Sequence, residues 1–424
     1  METNTTFGEL KLAEPLLLAL RACGYEHATP IQAQTIPALL AGRDVIGSAQ
    51  TGTGKTAAFI LPALQRIAAQ PSAPIARHRG AAAPCVLVLT PTRELAQQVT
   101  EQAVRYGQQL RVRTTCLYGG APYPVQNRAL ARGVDLLVAT PGRLLDHMNR
   151  GRVDLSQLQI LVLDEADRML DMGFIDDVER VCAVTPKTRQ TVLFSATIDG
   201  DVARLAARLT TTPVRIDVKT TQNAPLAILQ TAHFADDRAH KYRLLDHLLA
   251  DVAMRQSIVF ISTKRDAEAL AQKLQGQGHS AAALHGDMNQ RERTRTLQDM
   301  RRGGVRTLVA TDVAARGIDV LGITHVINFD LPRAPEDYVH RIGRTGRAGA
   351  AGVAVSLANH SERGNLRQIE RYTGAAIPIL VVPGLEPRAR PSRETETRRP
   401  AFSKPPQRSH TRPRTGSERP AYRR

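Results

Sequence analysis

Short apolar runs recur along this 424-residue chain, and nearly every one gives way to a helical pattern. They lie at 85–89, 134–139, 160–163 and 191–194, and again at 257–261, 305–310, 324–329 and 352–357. A strand apolar at consecutive positions is buried on both faces, so the sheets are expected to be parallel and covered by helices. The alternation breaks in a Thr- and Pro-bearing stretch and then resumes. This predicts a first lobe over 1–210, a linker over 211–225, a second lobe over 226–382 and a tail over 383–424. In such folds ligands gather at the C-terminal ends of the strands.

The first of these strand ends carries Ala49-Gln50-Thr51-Gly52-Thr53-Gly54-Lys55-Thr56, between an apolar run at 44–47 and a helical start at 57–61. Strand, glycine-bearing loop, Lys-Thr and helix is the layout of a phosphate cradle. Gly52 and Gly54 let backbone N–H groups turn inward, Lys55 reaches the outer phosphates, and the Thr56 hydroxyl suits Mg²⁺. The usual pattern opens with Gly where this chain has Ala49. The second lobe has no such loop, so one nucleotide is expected in a cleft between the lobes.

The run at 160–163 delivers Asp164-Glu165-Ala166-Asp167 to a strand end. Such a pair can cap a helix. Beside a phosphate loop it suits catalysis: Asp164 toward the metal, Glu165 toward the attacking water. The second lobe supplies His340-Arg341-Ile342-Gly343-Arg344-Thr345-Gly346-Arg347, three arginines in eight residues. Positive charge from the opposite lobe would make hydrolysis depend on closure. Near the N-terminus, Gln32 follows Thr29-Pro30-Ile31; its amide could cap a helix or read an adenine edge.

Charge adds a second kind of partner. The chain carries net +17, of which the segment 388–424 holds +9, leaving +8 for the body. A basic excess favours polyanions. The tail is rich in Pro, Arg, Ser and Thr, so it is expected to be disordered and to make weak, salt-sensitive RNA contacts. Cys23, Cys85, Cys116 and Cys182 match no metal or disulfide spacing. With no membrane span and no leader pattern at the N-terminus, a cytoplasmic protein is expected.

Taken in order, these motifs identify a resemblance to the DEAD-box RNA helicases from Phe7 to about Pro383. The set also includes Pro91-Thr92-Arg93-Glu94-Leu95-Ala96, Gly119-Gly120, Thr140-Pro141-Gly142-Arg143, Ser195-Ala196-Thr197, the stretch 258–264, and Thr311 to Asp319. Ala49 is that family's own form of the loop. Within the family the chain looks most similar to bacterial RhlE-type members, through Leu170-Asp171-Met172-Gly173-Phe174-Ile175, Tyr338-Val339-His340 and Ile377-Pro378.

The resemblance implies an α/β fold of two tandem RecA-like parallel-sheet domains, with the glutamine motif at 5–34. It implies ATP and Mg²⁺ as cofactors, and RNA-stimulated hydrolysis coupled to duplex separation. Phe7, Tyr25, Thr29, Gln32 and Asp319 would join the phosphate loop around ATP, and Arg344 and Arg347 would complete the catalytic group of Lys55, Asp164 and Glu165. Asp167, Ser195, Thr197, His340 and Arg341 would couple hydrolysis to strand separation. Pro91, Thr92, Arg93, Gly119, Gly120, Thr140, Pro141, Gly142, Arg143, Gln290, Arg293, Thr311 and Asp312 would follow the RNA backbone, without reading its sequence. Ribosomal precursors and RNA-decay proteins are compatible partners, and the core is expected to be monomeric. An ATP-gated RNA clamp or annealing chaperone, and a DNA-remodelling motor, stay open as alternatives.

Overall fold

The computed structural model describes residues 5–48, 53–70, 77–78, 81–218, 228–251, 254–315, 318, 320, 322–346 and 351–388. Met1–Glu386 form one compact unit and Pro387–Arg424 a second, of which only residues 387 and 388 are described.

A 3-10 turn at Phe7–Leu10 leads into α1 (Glu14–Ala22) and α2 (Pro30–Leu40). Then come β1 (Val45–Ser48), α3 (Lys55–Ala68), the two-residue strands β2 (Arg77–His78) and β3 (Ala81–Ala82), β4 (Val86–Leu89) and α4 (Arg93–Tyr106). These are followed by β5 (Thr114–Leu117), α5 (Tyr123–Ala131), β6 (Leu136–Ala139), α6 (Pro141–Asn149), β7 (Ile160–Leu163), α7 (Ala166–Asp171) and α8 (Ile175–Ala183). The lobe ends with β8 (Gln190–Ser195), α9 (Gly200–Leu209) and β9 (Val214–Asp217). Its sheet runs β5-β6-β4-β7-β8-β1-β9, and every neighbouring pair is parallel.

Consecutive strand residues feed two different cores, which is why the runs are apolar throughout. Val86, Val88 and Val162 pack under α2, α3 and α4 with Phe59 and Phe194. Leu87, Leu89, Leu161 and Leu163 pack on the other face with Met169 and Val178. Each such side chain contributes roughly 1.5–3 kcal/mol by leaving water.

The second lobe holds β10 (Ile228–Ala235), α10 (Arg238–Leu249), β11 (Ser257–Phe260), α11 (Lys264–Gly276), β12 (Ala281–Leu284) and α12 (Gln290–Arg301). It continues with β13 (Thr307–Ala310), α13 (Asp312–Ala315), β14 (His325–Asn328), α14 (Pro335–Ile342), β15 (Gly352–Asn359) and α15 (Arg363–Thr373). Its parallel sheet runs β10-β15-β14-β11-β13-β12. Val259 and Val309 face one core, Ile258 and Leu308 the other.

Three expectations change. The stretch 211–225 contains a strand: β9 pairs with β1, its half-buried Val214 and buried Ile216 packing on the first core, so the sheet extends past the expected lobe boundary. Residues 219–227 lie outside the described residues. At the other end Leu380 N–H donates to the Ala232 carbonyl beside β10, and Leu385 packs on the second lobe, so packing runs past residue 383. The Pro- and Ala-rich stretch 70–84 reads as a surface loop, yet it ends in buried Ala81, Ala82 and Ala83, with Ala82 N–H donating to the Arg152 carbonyl at 3.0 Å.

Candidate nucleotide and nucleic-acid sites

β1 brings the chain to the phosphate loop, and α3 carries it away with Lys55 buried in its first turn. Ala49, Gln50, Thr51 and Gly52 lie outside the described residues. Thr53 and Gly54 are anchored from α2. Thr29 Oγ1 donates to the Thr53 carbonyl at 2.8 Å, and Gln32 Nε2 donates to the Gly54 carbonyl at 3.1 Å. Gln32 Oε1 accepts from Thr29 N–H at 2.9 Å. Gln32 is therefore a helix cap on one amide edge and a brace for the loop on the other. Gly54 has φ +89°, and a Cβ there would meet Gln32 Nε2 at 2.4 Å, so this turn requires glycine. Phe7 is buried in the first core, whereas Tyr25 is exposed; burial pushes the Tyr106 phenol up.

β7 ends at Asp164, which is 2% exposed. Burial pushes its carboxyl up to about 6; Lys55 opposes that shift and Glu165 adds to it. Asp164 Oδ1 accepts from Glu165 N–H at 3.0 Å. Glu165 has φ 52°, ψ 55°, a left-handed conformation that costs a side-chain-bearing residue roughly 1–3 kcal/mol. This donor set fits a divalent cation arriving with phosphate oxygens: the cation restores the charged form that burial disfavours, and the hydroxyl of Thr56 lies one residue beyond Lys55. Asp167 Oδ2 accepts from Ala196 N–H at 3.1 Å, tying the acidic stretch to the Ser195-Ala196-Thr197 segment. Ser195 is fully buried, its hydroxyl without a hydrogen-bond partner among the described residues, and Thr197 is half-buried.

In the second lobe Arg341 forks onto the Asp312 carboxylate at 2.6 and 2.7 Å, and donates to Asn328 Oδ1 and the Asp330 carbonyl. It also lies over the Phe260 ring at 4.9 Å. Asp312, expected along RNA, is thus committed to Arg341, where its charge is neutralised instead of facing phosphates. Arg344 donates to the Ile318 and His340 carbonyls, and His340 Nδ1 is buried without a hydrogen-bond partner among the described residues. Arg347 and Asp319 lie outside the described residues.

A cavity of about 450 Å³ opens between the lobes. Of the residues expected to follow a strand, Pro91, Thr92, Arg93, Gly119, Thr140, Gly142, Arg143 and Arg293 line it. Thr92 caps α4, accepting from Leu95 N–H at 3.2 Å, and so fixes Arg93 in the first turn. Gly120 has φ +84°, and a Cβ there would fall 2.7 Å from Arg93 Nη1. Pro141 opens α6, and Arg143 donates to the Ala121 carbonyl at 2.9 Å. Arg93 donates across the lobes to Gln290 Oε1 at 3.1 Å. Arg293, expected on the RNA, is buried against Glu94 at 2.6 Å, where that carboxylate compensates its charge. Thr311 follows β13 but does not line this cavity.

Glu94, Tyr123, Asp146, Met172, Phe174 and Val313 also line it and were not among the residues expected to follow a strand. Tyr123 stands under the Arg143 guanidinium, 4.3 Å from its ring centre, and its hydroxyl bonds Asp146. The pairing joins α5 to α6 and has no sequence spacing that could reveal it.

The DEAD/DEAH box helicase family model matches residues 29–205, and the helicase conserved C-terminal domain model matches 240–349. The chain is 44% identical over 382 residues to the DEAD-box ATP-dependent RNA helicase CshA of Bacillus cereus, covering 90% of this chain and 71% of that one. This chain belongs to the DEAD-box helicase family. CshA of Bacillus subtilis is 42% identical over 381 residues, at 90% and 75% coverage. Among solved structures, this family member matches Saccharomyces cerevisiae Dbp5 bound to RNA and ADP BeF3, with TM-score 0.78, 34% identity and coverage of 88% and 95%. It also matches Mss116p bound to ssRNA and AMP-PNP, with TM-score 0.79, 26% identity and coverage of 90% and 81%. The two lobes are RecA-like parallel-sheet domains. The relatives named here are CshA proteins and give the RhlE-type placement no support.

Proposed function

We propose that this DEAD-box protein is an ATP-dependent RNA helicase that opens short duplexes or remodels RNA–protein complexes without reading sequence. One observation carries the reading: residues of both lobes line a single cleft, with Arg93 bonded to Gln290 and Glu94 to Arg293 across it. Backbone-directed groups there would hold a bent single strand, which an A-form duplex cannot match.

ATP binds between Lys55 and the second lobe. Mg²⁺, held by Thr56 and Asp164 with phosphate oxygens, would neutralise charge on the outer phosphates. Lys55 holds those phosphates from the positive end of α3. Glu165 orients the attacking water and takes its proton, a contribution of about 10²–10⁴-fold. Arg344 and Arg347 stabilise the transition-state charge, about 10³–10⁵-fold for such fingers. Asp167, Ser195, Thr197, His340 and Arg341 relay the nucleotide state to the strand cleft. Because ATP and RNA both favour the closed lobes, each raises affinity for the other.

Membership of the RhlE-type subgroup would rest on residues 170–175, 338–340 and 377–378 alone. A cytoplasmic location, a monomeric core, and action on ribosomal precursors or with RNA-decay proteins complete the proposal. Among the described residues no helix is long and apolar enough to cross a membrane.

Steady-state ATPase without nucleic acid, with single-stranded RNA and with the matching DNA tests it. Strong stimulation by RNA alone is expected. Equal stimulation by DNA would favour a DNA motor, and stimulation by neither would favour an RNA clamp.

A further inference from the structure

Among the described residues two ion pairs cross between the lobes. One is Glu94–Arg293, beside the strand cleft. The other lies at the nucleotide end: Arg168 Nη1 meets Asp337 Oδ1 at 2.9 Å, with the side chains 4% and 23% exposed. Arg168 follows Asp167 directly, and its backbone N–H donates to Asp167 Oδ1 at 3.0 Å. Asp337 stands on α14 three and four residues before His340 and Arg341, a spacing that puts all three on one helix face. Arg168, Asp312, Asp337, His340, Arg341 and Arg344 line one small cleft.

We propose that Arg168 and Asp337 are a positioning pair that sets the register of α14 against the acidic stretch and so transmits lobe closure between the nucleotide and strand sites. With the lobes apart, both charges would be hydrated. On closure each loses water and the ion pair takes its place, so the pair is made in one relative placement of the lobes. Its two ends sit on the parts that must meet. Arg168 is one residue from the carboxylate holding Ala196, and Asp337 is on the helix whose Arg341 holds Asp312. The neighbouring α15 contributes Tyr372, whose phenol is pushed up by burial and by the carboxylates of Glu336, Asp167 and Asp199.

The inference rests on the ATP-dependent RNA reading, and the test separates the two. Affinity of the full chain for a labelled single-stranded RNA is measured with and without the non-hydrolysable analogue AMP-PNP. Wild type should bind RNA about 5- to 150-fold more tightly with the analogue. Arg168→Glu and Asp337→Arg should each remove that gain while leaving analogue-free RNA affinity within about twofold, and the double reversal should restore it. A gain that survives either single reversal overturns the latch, as does a double variant that melts like wild type yet shows no gain. The neutral variants Arg168→Gln and Asp337→Asn decide the matter in the same way if the reversals do not fold. No gain in wild type overturns the latch together with the reading beneath it.

Discussion

Glu94→Ala should separate the strand cleft from its closure. In the closed lobes Glu94 Oε1 accepts from Arg293 Nε at 2.9 Å and Nη2 at 2.6 Å, and both side chains are under 10% exposed. Among the described residues Arg293 otherwise donates long bonds, 3.3 Å each, to the His285 and Ala314 carbonyls. Removing the carboxylate leaves a buried guanidinium without counter-charge, at a cost of about 3–5 kcal/mol. Parting the lobes rehydrates that guanidinium, so the cost falls on closure and not on folding. At about 1.4 kcal/mol per decade this cost equals or exceeds the whole gain of about 5- to 150-fold, so RNA affinity with the analogue should fall to the analogue-free level. Glu94→Gln keeps an acceptor and loses only charge, so it should cost roughly one decade. Fluorescence anisotropy with AMP-PNP reads both, and analogue-free binding is the control. An Ala variant within twofold of wild type with the analogue present would refute the assignment of this pair to closure.

Glu165→Gln should keep ATP and RNA binding yet lose at least about 10²-fold in steady-state turnover; near-normal hydrolysis would remove Glu165 from its role. Asp164 titrates at about 6 when folded against 3.8 in the reference state, so its stabilising neutral form is fully present below 3.8 and lost as pH rises through 6. Asp164→Asn should therefore raise the nucleotide-free melting temperature above pH 6, by up to about 3 kcal/mol of stability, and leave it unchanged near pH 3.5. Gly47→Ala would drive its Cβ to 2.3 Å from the buried Phe194 ring, so calorimetry should show a loss of about 1–3 kcal/mol. Truncation after residue 388, which spares the Leu385 packing, should weaken RNA binding and flatten its salt dependence; an unchanged salt slope assigns the tail elsewhere.

What the sequence revealed follows burial. Strands with four consecutive buried residues, such as Val86–Leu89 and Ile160–Leu163, announce themselves because both faces need apolar groups. The edge strand Thr114–Leu117 alternates buried with half-buried residues and begins Thr-Thr, so it carries no such run. β10 contains Gln230, Thr231 and His233 and was equally silent. The site shows the same division. Local motifs placed Asp164 and Arg93 just past strand ends and Gln32 at a helix start, because each motif is a contiguous piece of chain. The partnerships were not legible: Arg293 with Glu94, Arg168 with Asp337 and Asp312 with Arg341 join residues 199, 169 and 29 apart. Long-range ion pairs leave no periodicity, and an arginine in a motif looks the same whether it meets a phosphate or a carboxylate.

The placement of β1 between β8 and β9 has a mechanical consequence. Ser48, the last residue before the phosphate loop, is in register with Ser195, the last residue of β8, and its Oγ donates to the Ala196 carbonyl at 3.4 Å. Adjacent strands stand about 4.8 Å apart. The loop and the Ser195-Ala196-Thr197 segment therefore leave the sheet side by side, like neighbouring keys on one bar. A displacement of a fraction of an ångström at one need cross only a single interstrand gap to load the other, with no intervening lever to absorb it.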